Sequence, residues 1–262
     1  MIEVRDVALE IAGRRLLSDI SLSVASGELV AIVGPNGVGK TTLLRAIAGF
    51  HPPALGTIAI DGVRIDALST RERALRIAFL AAEETPVEAL RVRDVVAAGR
   101  YPHHRWWEWR ENAADEAAIA TALAEVRAQG FADRTFSTLS SGERRNVWVA
   151  VALAQETPVL LLDEPTTHLD LHVAQRMLAL LRSLARRGKA ILCALHDLNE
   201  AAAYADRIVL FGDGALRAAG APDDVLASPL LDVVYESTIA RVRLADGHLR
   251  VYPSGAPPAP ER

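Results

Sequence analysis

The stretch that decides the fold is Leu29-Val30-Ala31-Ile32-Val33-Gly34-Pro35-Asn36-Gly37-Val38-Gly39-Lys40-Thr41. Leu29–Val33 is an unbroken apolar run, the signature of a strand buried on both faces. Gly34 to Thr41 then fits the pattern G-x-x-x-x-G-K-[ST], and Thr42–Ala48 reads as the helix that follows. Strand, glycine loop and helix in that order form a phosphate cradle. Glycines let successive backbone N–H groups turn inward around an anion, and the helix start adds partial positive charge at the same point. Lys40 reaches terminal phosphates and the Thr41 hydroxyl is a hard oxygen ligand for Mg²⁺.

Outward from this loop the chain alternates. The reading is helix Gly142–Ala154, strand Val159–Leu162, helix Val173–Arg187, strand Ala190–Leu195, helix Leu198–Tyr204 and strand Arg207–Phe211. Apolar strands separated by helices imply a mostly parallel sheet flanked by helices, an α/β class. Short strands at Val4–Leu9, Ser21–Val24 and Thr57–Ile60 form an antiparallel N-terminal part, and the chain beyond Phe211 reads as strand-rich. The alanine-rich middle, about residues 92–128, interrupts the pattern as an inserted helical subdomain. Strand Val159–Leu162 ends in Asp163-Glu164, where open α/β sheets place their ligands. Asp163 suits Mg²⁺ coordination, and Glu164, one residue further, suits a base that polarises water.

Composition narrows the class. The 262 residues carry 29 Lys+Arg against 33 Asp+Glu, a net charge of −4, which argues against a nucleic-acid partner. One cysteine, Cys193, cannot form an intrachain disulfide, which fits a reducing compartment. The first residues, MIEVRDVALEIAG, lack a signal peptide's apolar core. The longest apolar run, Val147–Ala154, is far short of the roughly 18 residues of a membrane span, so a soluble chain is expected whose membrane role comes through a partner. The tail, residues 253–262, is proline-rich and expected to be disordered.

Further motifs give a resemblance. Leu139-Ser140-Ser141-Gly142-Glu143 resembles the LSGGQ or LSGGE signature of the ATP-binding subunits of ABC transporters, and it precedes Asp163-Glu164 as in that family. The resemblance runs from about residue 1 to 252 as a single ATPase domain, with the helical subdomain at about 90–155. It implies a P-loop NTPase core that binds ATP and Mg²⁺ through Gly34, Pro35, Asn36, Gly37, Val38, Gly39, Lys40, Thr41 and Thr42. It implies Glu164 as base, and His196 as the switch histidine that reads the γ-phosphate. It also implies a head-to-tail homodimer in which Leu139–Glu143 of one copy faces the ATP of the other, with Asp170 of the His168-Leu169-Asp170 loop crossing the interface. A transmembrane permease and, indirectly, a substrate-binding protein are the further partners implied, at the cytoplasmic face of the inner (plasma) membrane. Gly99-Arg100-Tyr101-Pro102-His103 is similar to a segment of importers for iron-siderophores, haem and vitamin B12.

Two positions depart from the pattern. Where the family has a Mg²⁺-ligating glutamine, this chain has Ala82; either Glu83 or Glu84 substitutes, or hydrolysis runs without that ligand. Where the family stacks adenine on an aromatic ring, the register gives Ile11, with Arg14 or Arg15 as candidates to lie over the base. A cluster in residues 103–109, HHRWWEW, holds three of the four tryptophans and suits core packing, permease contact or headgroup contact. Neighbouring readings are a nucleotide-binding regulator with weak or no hydrolysis and a non-transport ABC ATPase.

Overall fold

The computed structural model describes residues 1–11, 13–83, 87, 89–104, 111–245 and 247–254. The strands are β1 (Ile2–Ile11), β2 (Arg14–Val24), β3 (Leu29–Val33), β4 (Leu55–Ile60), β5 (Val63–Arg64) and β6 (Ile77–Leu80). They continue with β7 (Val159–Asp163), β8 (Ala190–Ala194), β9 (Arg207–Gly212), β10 (Ala215–Gly220), β11 (Ile239–Arg243) and β12 (Leu249–Pro253). The α-helices are α1 (Lys40–Ile47), α2 (Thr70–Ala74), α3 (Val92–Ala97), α4 (Ala113–Glu125) and α5 (Ser141–Ala154). After them come α6 (Leu171–Arg186), α7 (Leu198–Tyr204), α8 (Pro222–Ala227) and α9 (Leu230–Val234).

The central sheet has six strands in the order β10-β9-β3-β8-β7-β6, parallel except for β10, which pairs antiparallel with β9. Alternation along each strand splits the core in two. Val30, Ile32, Leu161, Leu192 and Val209 point to the face covered by α1 and a four-stranded antiparallel sheet, β2-β1-β4-β5. Leu29, Ala31, Val33, Leu160, Ile191 and Cys193 point to the other face, under α3 to α8. A strand buried on both faces needs this continuous apolar sequence.

The structure differs from the sequence reading at four places. Helix α1 begins at Lys40 rather than Thr42, because Gly39 at φ 105° already turns the chain into it. Helix α5 begins at Ser141, since Ser140 is its cap. The chain after Phe211 adds two short helices, α8 and α9, to its strands. The middle is broken: α3 runs into a 3₁₀ turn, Ala98–His103, and α4 starts afresh at an Asn112 cap that accepts from the Ala114 and Asp115 amides.

Candidate active site

Four functional segments leave the carboxyl ends of parallel strands: the loop after β3, Ala81 after β6, Asp163-Glu164 at the end of β7, and His196 just after β8. Adjacent strands bring them together. Asp163 pairs with Ala194 across the ladder, and the Glu164 amide donates to the Ala194 carbonyl at 3.1 Å.

The phosphate loop is built around glycines that the backbone requires. A Cβ at Gly34 would lie 2.4 Å from the Phe211 carbonyl oxygen; one at Gly39, held at φ 105°, would lie 2.5 Å from Leu17 Cδ2. Lys40 is buried, and its Nζ donates to the Gly34 and Pro35 carbonyls at 2.7 and 2.9 Å. Burial lowers its pKa, while the Glu164 and Asp163 carboxylates push the other way. Asn36 and Gly37 are exposed, Val38 packs partly on the core, and Thr42 is half-buried.

Asp163 is 1% exposed, and burial raises its pKa, an effect to which Glu164 adds. The Thr41 hydroxyl beside the carboxyl opposes that rise, and Oδ1 is buried with no hydrogen-bond partner. An orphaned buried carboxylate oxygen beside a hydroxyl and a lysine is a hard-oxygen site, so the residues present fit Mg²⁺. Bound there, the ion supplies charge neutralisation for a triphosphate's oxygens. Among the described residues no cluster of three or more His, Cys, Asp or Glu could hold a metal ion.

Glu164 stands at φ 50°, uncommon for a residue with a side chain. Its Oε1 is 2.5 Å from His196 Nε2, and Thr167 Oγ1 donates to Oε2 at 3.4 Å. The histidine side chain is 40% exposed and the glutamate side chain 20%.

The remaining predicted residues are more scattered. In the signature segment Leu139 is buried while Ser140 and Ser141 are exposed. Ser140 caps α5 in a capping box: its Oγ accepts from the Glu143 amide at 3.3 Å, and Glu143 Oε2 accepts from the Ser140 amide at 2.8 Å. Helix α5 packs chiefly on α3, α4 and β6, whereas α1 packs on β1, β7 and β8, so the two helix starts belong to different layers. Asp170 is exposed at the start of α6 and makes no side-chain cap bond there. Ile11 ends β1 opposite Arg14, 37% exposed; Arg15 is drawn instead to Glu10 at 3.2 Å. Ala82 and Glu83 are exposed. Glu84 and the tryptophans of residues 105–110 lie outside the described residues.

The Gly99–His103 segment has a packing reason that sequence reasoning missed. A Cβ at Gly99 would lie 2.3 Å from the Val151 carbonyl oxygen, so glycine lets this turn touch α5. Arg100, 4% exposed, donates to Asp115 at 2.9 Å and to the Ala154 carbonyl and Glu156 at 2.6 Å. His103 lies 3.0 Å from the Gln155 carbonyl and His104 3.0 Å from Asp115, so the two rings do not share a ligand. The segment staples α4 to the end of α5; only Tyr101, 82% exposed, faces out.

The comparisons agree with this architecture. The family model for the ABC transporter matches residues 17–167. The chain belongs to the ABC transporter family. The hemin import ATP-binding protein HmuV of Streptomyces coelicolor is 44% identical over 232 residues, 88% of this chain and 81% of that one. The ferric enterobactin transport ATP-binding protein FepC of Escherichia coli is 38% identical, over 83% of this chain and 80% of that one. A dimeric, post-hydrolysis structure of the ATP-binding cassette MJ0796 bound to ADP and Pi superposes with a TM-score of 0.74 at 25% identity. It covers 85% of this chain and 99% of that one. The chain is thus an ATPase of the ABC type. No helix among the described residues is long and apolar enough to cross a membrane.

Proposed function

We propose that this chain is the ATP-hydrolysing motor subunit of an importer that takes up a metal chelate such as haem, an iron-siderophore or cobalamin. The observation that carries the motor is the convergence of buried Lys40, the orphaned Asp163 Oδ1 and the Glu164–His196 pair at the carboxyl end of the central sheet. In this reading Glu164 is the base that orients the attacking water, and His196 reads the γ-phosphate. Thr41 and Asp163 hold the Mg²⁺, with Glu83 drawn in as a further ligand. Catalysis is then mainly positioning and charge stabilisation.

The signature segment supports a head-to-tail homodimer. Its exposed serines open a helix of another layer than the phosphate loop, so their anion-binding end faces outward. A second copy supplies what one copy leaves open: Ser140 to Gly142 complete the partner's ATP site, and Asp170 crosses beside it. Closure follows from contacts to the γ-phosphate that exist before hydrolysis and not after. The helical region passes that motion to a permease at the cytoplasmic face of the inner membrane. The names of the relatives support chelate import, since hemin and ferric enterobactin are what those proteins are named for.

The test uses Glu164→Gln protein with ATP and Mg²⁺ in light scattering. A shift to twice the monomer mass, reversed by removing Mg²⁺, is expected. A variant that binds ATP and stays monomeric overturns the dimer.

A further inference from the structure

Helix α5 carries a buried arginine that donates to four backbone carbonyls. Arg145 is 4% exposed. Its Nε donates to the Pro165 carbonyl at 3.2 Å, one terminal nitrogen to Ala81 at 2.8 Å, and the other to Asp163 at 2.8 Å and Glu164 at 2.9 Å. A planar guanidinium with donors in a fixed fork holds several acceptors at set angles, which a lysine cannot do. Three of these carbonyls belong to the turn that carries both acids, and in that turn Glu164 sits at φ 50°. A side-chain-bearing residue keeps such a backbone only when its surroundings over-determine it. The fourth carbonyl, Ala81, adjoins Ala82, the position where a glutamine was expected.

We propose that Arg145 is the positioning residue that holds Glu164 toward His196 and links α5, with the signature cap at its start, to the hydrolytic turn. The link passes through backbone carbonyls, and the Ala81 carbonyl beside Ala82 is one of them. Any shift of α5 moves the guanidinium, and the guanidinium moves the carbonyls of Asp163 and Glu164. The inference rests on the reading of Glu164 as the base.

The test uses the full chain as Arg145→Lys and Arg145→Ala beside the parent and Glu164→Gln. Phosphate release gives kcat and KM, a fluorescent ATP analogue gives affinity, and ¹⁵N spectra give the His196 imidazole resonances. Arg145→Lys is expected to lose at least tenfold in kcat, with KM and affinity within twofold of the parent. Its His196 resonances are expected to move toward those of Glu164→Gln. Millimolar guanidinium, but not ammonium, is expected to restore turnover to Arg145→Ala. Parental kcat, parental His196 resonances, or equal losses of affinity and kcat in Arg145→Lys each overturn the proposal; if Arg145→Ala does not fold, Arg145→Lys decides alone. Full turnover in Glu164→Gln would remove the base assignment instead, while the His196 resonances would still report whether Arg145 sets the contact.

Discussion

Two helix starts in this protein carry glycine and hydroxyl residues suited to an anion, and they are built on opposite principles. At the start of α1 the fold itself demands the glycines: Gly34 and Gly39 would clash with backbone or core if they carried a Cβ. The lysine is buried, and no side chain caps the helix. At the start of α5 a Cβ on Gly142 would meet nothing nearer than Val173 at 3.6 Å, an ordinary contact. There the helix is already capped by Ser140 and Glu143, and the serines lie in solvent. The first start is finished as a phosphate loop inside one chain, although the proposed ATP site also takes the partner's signature segment. The second is stable as it stands, and in the proposed dimer its glycine serves the partner's phosphate.

Substitutions can break or sharpen this contrast. The largest effect belongs to the finished site: Glu164→Gln should lower turnover about 10²–10⁴-fold, the range of a general base, with ATP affinity retained. Phosphate release and equilibrium binding measure the two together. Lys40→Ala should cost about 1.5–3 kcal/mol of nucleotide binding, the worth of a charged hydrogen bond, roughly ten- to hundredfold in Kd by titration. If affinity and uptake survive it, the finished site is not the nucleotide site.

The paired test of the contrast comes next. Gly39→Ala should destabilise the chain by roughly 1–2 kcal/mol from the left-handed backbone alone, with the Leu17 clash in addition. Gly142→Ala should leave Tm unchanged or slightly raised, since alanine is the better helix former. It should still lower turnover on the order of tenfold by holding the partner's phosphate off. Equal thermal melts for the two variants would erase the distinction. Glu83→Ala should lower phosphate release by roughly tenfold, the low end for a group supporting a metal; unchanged turnover discards it as a ligand. The smallest effect is at the cap, where Glu143→Ala should cost about 1 kcal/mol of stability, read as a small fall in Tm.

How far the sequence reached follows the same division. Leu29–Val33 and Leu198–Tyr204 fall where the reading put them, and the other core elements shift by a residue or two at their ends. Cap geometry sets those ends, and caps depend on hydrogen bonds such as Ser140 to Glu143 that local pattern only suggests. The first hairpin is longer than its apolar runs, because pairing extends β1 and β2 through exposed residues such as Arg14 and Arg15. The Gly99–His103 segment was legible as a resemblance, but its work of joining α4 and α5 through Arg100 and Asp115 was not. Arg145 gave no signal beyond its place before the apolar run Val147–Ala154.

The sequence by itself determined the chemistry that depends on short spacing: a glycine loop between strand and helix, two acids at a strand end, and a signature segment before a helix. These are local because each is fixed by a few consecutive dihedrals and by period-two burial. Only the tertiary structure decided which distant groups meet. The 2.5 Å approach of His196 to Glu164, the orphaned oxygen of Asp163 and the four carbonyls gathered by Arg145 all join segments far apart in the chain. Strand order sets those meetings, and strand order is a property of long-range packing that no short stretch of residues records.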